Sequence, residues 1–478
     1  MHRSRFALVL CLGAQVAVAA TALDNSFATA GRSSLTSGNY YKGVLAHLPK
    51  GDGGSIMVMN YHDVDANGNQ TGADAIYLRH FASSGAVGSS HSVLASVANF
   101  ARIGGATIDS QGRIIVVGST TATFSNSDFR VARILPNGVL DNSFDGDGVA
   151  DIDFAGGGNN DDQANAVAID AQDRIVVVGQ VERATTGDFD FGIARLAANG
   201  APDASFGGGD GKVITHFDLG PGQRFDSARA VAIGSDGLIT VVGGAYDSAV
   251  GATRIAMARL SSGGALDGNF CPASCNFMDS YTAIHSGRRV IFYGAATPAR
   301  SDQVAAMAIR DDGALLIAGT TPGSGETLGF LMRFDTAGGW THETTTQGGT
   351  GSGGNTVIGG VHWRQPSSPA SEIVLTGASG PNEEFFFAQR FDQLLVEVAG
   401  WGMIGPANSV YLWTAGGGFG DVGDNRPGRS AIDAQGRVLV GGRYKANLPA
   451  DPYSAVAARL TSTDAPPAGI DIFKNGYE

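Results

Sequence analysis

The chain has 478 residues, 71 of them glycine, with 43% hydrophobic and only 16% charged residues, which is too long for one ordinary globular core and calls for several domains or a repeat array. Glycine in excess without a collagen period, beside many Val/Ile/Thr-rich runs, points to numerous strands and tight turns. A net charge of −13 gives no counterion-release drive toward phosphate backbones, so nucleic acid is not an expected partner.

The chain opens with His2, Arg3 and Arg5, an apolar run over 6–18, and small residues at Ala17, Ala19, Ala20 and Ala22. This is the pattern of a secretory signal peptide over residues 1–22, too short for a membrane span. No later stretch is apolar and long enough to cross a bilayer, so the mature chain is expected to be exported to the periplasm, cell surface or medium. Residues 23–27 (LDNSF) then copy residues 140–144 letter for letter. They are the tail of a repeat that has no head.

Seven β runs follow, most of them ending in glycine: 56–60, 114–118, 175–179, 239–243, 315–319, 373–377 and 438–441. Their spacing, about 60 residues in most cases, suits a four-stranded propeller blade. An arginine late in the next strand keeps the same count: Arg79, Arg133, Arg195, Arg259, Arg333, Arg390 and Arg459. A charge present in every unit usually serves the unit, so these arginines are expected to pair with turn aspartates such as Asp141, Asp203 and Asp267. Turns such as Ser110-Gln111-Gly112 and Pro136-Asn137-Gly138 separate the strands, with residues that tolerate left-handed backbone. Small alanines, such as Ala166, Ala168, Ala230 and Ala232, suit a crowded strand near a central axis.

The last unit, 428–460, has a head but no tail, and runs into a Pro-rich linker and short tail over 461–478. Joining both ends completes a seventh unit and removes an open sheet edge. The expectation is therefore an all-β, seven-bladed β-propeller over 23–460, with residues 23–44 supplying the strand that closes the ring. The order A-x-A-V-A-I-D-x-x-D-R-I-V-V-V-G, then F-x-I-A-R-L-x-x-N-G, then L-D-x-S-F-G-x-G-G, resembles the delta-60 repeat of exported bacterial proteins. The resemblance is good over 105–270, fair over 304–334 and 428–460, and weak over 341–413. It implies a β-propeller in a Gram-negative, exported setting. It implies no activity, since that repeat carries no catalytic motif.

Asp63, Asp65, Asn67, Asn69 and Asp74 place oxygen ligands at positions one, three, five, seven and twelve of a loop, with Gly68 at six. That spacing wraps Ca²⁺, although a longer glutamate is usual at the last position; the bland reading is a polar hairpin tip. Cys271 and Cys275, in an exported protein, fit a small disulfide loop. Trp340, His362, Trp363 and Arg364 belong to a divergent region that holds every tryptophan, and they read as either a ligand-binding aromatic patch or packing between blades. No G-x-S-x-G, H-E-x-x-H or phosphate-loop motif is present. These features point to a binding or scaffold module for a protein or glycan ligand. The alternative is a channel-mouth enzyme, a hydrolase or lyase, acting on an extracellular polymer such as polysaccharide.

Overall fold

The computed structural model describes residues 32–35, 40–62, 75–93, 100, 102–120, 126–184, 187–220, 224–272, 287–291, 301–323, 325–346, 355–364, 371–380, 385–398, 410–414, 426–445 and 453–460. These form seven antiparallel sheets in sequence order. After β1 (Arg32–Leu35), the first blade is β2 (Tyr40–Pro49), β3 (Ser55–His62), β4 (Ala75–Phe81) and β5 (Val87–Val93). The second is β6 (Arg102–Ile108), β7 (Ile114–Ser119), β8 (Phe129–Ile134) and β9 (Val149–Ile152). The third is β10 (Gln163–Ile169), β11 (Ile175–Glu182), β12 (Phe189–Leu196) and β13 (Lys212–Thr215). The fourth is β14 (Asp226–Ile233), β15 (Ile239–Asp247), β16 (Ala252–Leu260) and β17 (Arg288–Ile291). The fifth is β18 (Gln303–Ile309), β19 (Leu315–Pro322), β20 (Thr327–Phe334) and β21 (Trp340–Thr346). The sixth is β22 (Asn355–Arg364), β23 (Glu372–Gly380), β24 (Phe385–Phe391) and β25 (Val410–Thr414). The last is β26 (Arg426–Pro427), β27 (Ala431–Ile432), β28 (Val438–Lys445) and β29 (Tyr453–Leu460), completed by β1.

The seven β runs of the sequence are the second strands of the blades. They read as unbroken apolar runs because both faces are covered: every residue of β7 and of β11 is buried. Each interblade core joins two sheets, as where Val176 and Ile193 of the third blade meet Ala228 and Ile239 of the fourth. The glycine that ends most of these runs has a steric cause. A Cβ on Gly179 would lie 1.9 Å from the carbonyl oxygen of Gln163, so only hydrogen lets the inner strand pass.

Most of the recurring arginines are latches between blades. Arg133, Arg195 and Arg259 each place Nε 2.7–2.8 Å from Asp141, Asp203 or Asp267, as the sequence suggested. Each also stacks over the phenylalanine that ends its repeat, Phe144, Phe206 or Phe270. Their Nη1 groups reach onward and donate to a turn carbonyl of the following blade: Ala198, Ser262 and Thr336. Arg459 does the same across the chain ends, donating to the Ser83 carbonyl of the first blade at 2.7 Å.

The ring is closed by the N-terminal segment. Strand β1 pairs antiparallel with β29, Arg32 opposite Ala458 and Leu35 opposite Ala455. The closing strand is thus 32–35, while residues 23–27, the copied LDNSF, lie outside the described residues.

Candidate functional site

The innermost strands are where the blades differ. Their registers align through the residue after each second-strand glycine: Arg102 pairs with Ser119, Gln163 with Gln180, Ser227 with Gly244, Gln303 with Thr320 and Val357 with Ala378. These residues therefore share one level around the axis. Two residues further along, each inner strand carries a register shift, and the residue there is Gly104, Asn165, Arg229, Ala305 or Gly359. A bulge re-aims its residue, and four of the five are small or neutral. Arg229 is the exception.

Arg429, on the inner edge of the last blade, donates from Nη2 to the carbonyl oxygens of Asn165 (3.1 Å) and Arg229 (3.2 Å). Those acceptors belong to the third and fourth blades, so this side chain reaches across the axis. Gly105 makes room for it, since a Cβ there would stand 3.3 Å from Arg429 Nη1. Burial holds the Arg429 guanidinium below its ordinary pKa, and the charge of Arg229 lowers it further. Burial likewise lowers Arg229, with a second contribution from Arg102. The second, fourth and seventh blades are not neighbours, so these three cations can approach one another only at the axis.

Compensation is incomplete. Arg102 donates to Gln163 Oε1 at 2.8 Å and feels Asp161. Neither Arg229 nor Arg429 has a carboxylate partner among the described residues. Asn165, only 4% exposed, adds a carboxamide whose Nδ2 donates to the Ala228 carbonyl at 2.9 Å and whose Oδ1 has no partner. In a molecule of net charge −13, the axis is a cationic channel. Planar guanidinium groups match carboxylate, sulfate or phosphate oxygens.

Beside it lies a hydroxyl network. Nε2 of His362 lies 2.7 Å from Ser430 Oγ, which lies 2.7 Å from Thr376 Oγ1, and that hydroxyl donates to the Gly360 carbonyl at 3.4 Å. The contact depends on Gly360, where a Cβ would sit 2.0 Å from Ser430 Oγ. Burial pushes the His362 pKa down to about 4, so the imidazole is neutral at physiological pH.

The residues singled out from the sequence fall in different places. His362 faces the seventh blade, whereas Trp363 and Arg364 are 3% and 4% exposed and offer no ligand surface. Trp363 is packing: the guanidinium groups of Arg310 and Arg333 lie 4.8 and 5.8 Å from its ring, and Arg364 Nη1 lies 3.2 Å from Glu372. Trp340 is on β21, the outer strand of the fifth blade, packed on that blade's core with Nε1 donating to the His342 carbonyl at 3.2 Å. The four residues form no common patch: Trp340 lies in a different blade, and Trp363 points to the face opposite its strand neighbours His362 and Arg364. Asp63, Asp65, Asn67, Asn69 and Asp74 lie outside the described residues. Cys271 is buried, Cys275 lies outside the described residues, and the described residues contain no disulfide.

Two carboxylate clusters went unnoticed in the sequence: Asp128, Asp153 and Asp162, and Asp188, Asp190 and Asp218. Buried carboxyls in and beside them are structural. Asp162 accepts from the amides of Phe154 and Glu182, and Asp226, beside the second cluster, accepts from the Phe217 amide at 2.7 Å. The channel arginines were also missed. The available signal was Arg229 standing where the repeat otherwise places a small residue.

Residues 110–144, 173–206 and 234–270 match the family described as "Domain of unknown function (DUF5122) beta-propeller". No curated protein matches the chain. Among solved structures it is similar to a polysaccharide lyase, Uly1, at 8% identity over 90% of this chain and 99% of that one, TM-score 0.49. It is similar to Trypanosoma rangeli sialidase with the inhibitor DANA at 11% identity over 88% and 55%, TM-score 0.36. The intramolecular trans-sialidase from Ruminococcus gnavus gives 12% identity over 90% and 97%, TM-score 0.37. At such identities none of them transfers a ligand or a reaction to this chain.

Proposed function

We propose that this chain is an exported binding propeller that takes an anionic group of its ligand into the axial channel. One observation carries the reading: Arg229 and Arg429 meet at the axis with no carboxylate of the described residues to neutralise them. Desolvated cations without a counter-charge are costly, and an entering anion relieves that cost. Titration calorimetry with sodium sulfate or acetate at low ionic strength tests it. The wild type should bind one anion per chain, and Arg229→Met should weaken binding at least tenfold. No detectable binding, or binding indifferent to Arg229→Met, contradicts the proposal.

A second reading, an enzyme acting on an extracellular polymer, draws on the Ser430 and His362 pair. A neutral imidazole at 2.7 Å can accept a hydroxyl proton, and the Arg429 guanidinium belongs to the adjoining residue. Labelling of Ser430 by a fluorophosphonate, lost in His362→Gln, would support it. An unlabelled Ser430 in folded protein would leave the pair a structural hydrogen bond.

A further inference from the structure

A groove of about 350 Å³ lies between the inner strands of the fifth and sixth blades. Its walls include Gln303 and Val357, which occupy the register level of Arg102 in β6. Ala305, also in the wall, holds the place in β18 that Arg229 holds in β14, the neighbouring inner strand. By register, the groove thus begins at the level of the axial arginines, on the inner strand next to that of Arg229.

Its chemistry differs from that of the axis. The lining is hydroxyl and carboxamide, from residues such as Ser301, Gln303, Thr320 and Asn355, interrupted by the apolar Val304 and Ile358. No charged side chain lines it. Gln303 and Asn355 are exposed, and Asn355 uses only Oδ1 within the protein, accepting from the Thr327 amide at 3.2 Å. Neutral hydrogen-bonding groups around small apolar faces suit a molecule that is itself hydroxyl-rich with C–H faces. A volume of this order falls within the range of small-ligand pockets, about 300–1,000 Å³.

From this juxtaposition we infer that the ligand is an acidic saccharide, its carboxylate at Arg229 and Arg429 and its neutral neighbouring residue in the groove between the fifth and sixth blades. The inference rests on the proposed anion site and adds the identity of the molecule that carries the charge. An acidic peptide would bring its carboxylates to the axis equally well. It would gain little from a groove offering hydroxyl and carboxamide partners for ring hydroxyls.

The experiment compares three probes by calorimetry on the full chain: acetate, a tetramer of galacturonic acid, and a short poly-glutamate. The tetramer should bind at least tenfold more tightly than acetate and than poly-glutamate. Gln303→Ala and Asn355→Ala, both at exposed positions that leave the core untouched, should each weaken the tetramer about fivefold while leaving acetate unchanged. Arg229→Met should weaken all three. If acetate binds but the tetramer gains nothing over it, or if poly-glutamate binds as tightly as the tetramer, the saccharide assignment is wrong and the anion site stands. If the groove variants bind the tetramer as the wild type does, the groove is not part of the site. If acetate itself fails to bind, the underlying anion reading fails first.

Discussion

Arg195 is 1% exposed, and its guanidinium is shared among Asp203, Ser205 and the Ser262 carbonyl of the next blade. Lys50 and Asp52 make an ion pair of equal length, 2.7 Å, at the surface, with Asp52 mostly exposed. Burial separates the two. Removing one partner of a buried pair strands the other, at a cost of about 3–5 kcal/mol, whereas an exposed pair contributes less than about 1 kcal/mol. Chemical denaturation should therefore show a large loss for Arg195→Met and almost none for Lys50→Ala. A small effect of Arg195→Met would mean that the latches do not hold the ring. These latches were legible in the sequence because arginine and aspartate sit eight residues apart in three consecutive copies, Arg133 with Asp141, Arg195 with Asp203 and Arg259 with Asp267. The axial site was not, since Arg102, Arg229 and Arg429 come from three blades and repeat nothing. Only the closed ring brings them together.

Buried carboxyls give the residue scale a pH dependence. Burial pushes Asp162, Asp190 and Asp226 up to about 7, 6 and 8. Their folded pKa values exceed the unfolded value near 4, so folding takes up protons and stability is lost as pH rises through about 6 to 8. His47 and His362, held down to about 4 mainly by burial, act oppositely, but only below the unfolded histidine value near 6.5. Between pH 8 and 6.5 the aspartates act alone. The melting temperature should rise on acidification across that interval, and Asp226→Asn should flatten the rise. A melting temperature that falls over the same interval would show that these carboxylates are ionised in the fold, as bound cations would make them.

Among elements, the second strands were the most visible from sequence and the outer ones the least. The fourth strands of the second and third blades are only four residues each, Val149–Ile152 and Lys212–Thr215, with mixed exposure. An edge so short carries little apolar periodicity to detect. The glycine carried by most second strands was readable as punctuation, but its cause was not. Gly179→Ala would press a methyl to within 1.9 Å of the Gln163 carbonyl and against the neighbouring backbone. Neither wall is a flexible side chain, so the variant should lose more than about 2 kcal/mol of stability, measured by denaturant titration. Gly112→Ala, at a turn with open space around it, should lose less, with the cost coming from its φ of +77°. Residues 63–74 are proposed, from their spacing of oxygen side chains, to hold Ca²⁺. Chelation should then lower the melting temperature, and an unchanged value rejects it as a structural site.

At the scale of the whole molecule, seven sheets could be counted from sequence because two independent marks, the glycine-ended strand and the late arginine, agree on the number. The closure was also foreseeable: the strand seen to perform it, 32–35, lies within the 23–44 segment expected to supply it. Without β1 the edge of β29 is left open, and deletion of residues 23–36 should produce aggregating protein by light scattering. The ring does more than enclose a core. It gathers three arginines at its axis and leaves a neutral groove beside them, and the functional account depends on that meeting of charges. Anomalous diffraction from crystals soaked in sodium bromide would test it directly. The account predicts a bromide peak on the axis within hydrogen-bonding distance of Arg229 and Arg429. An axis without bromide, while the ion occupies surface sites, or a carboxylate of the chain itself seated on those arginines, would contradict it.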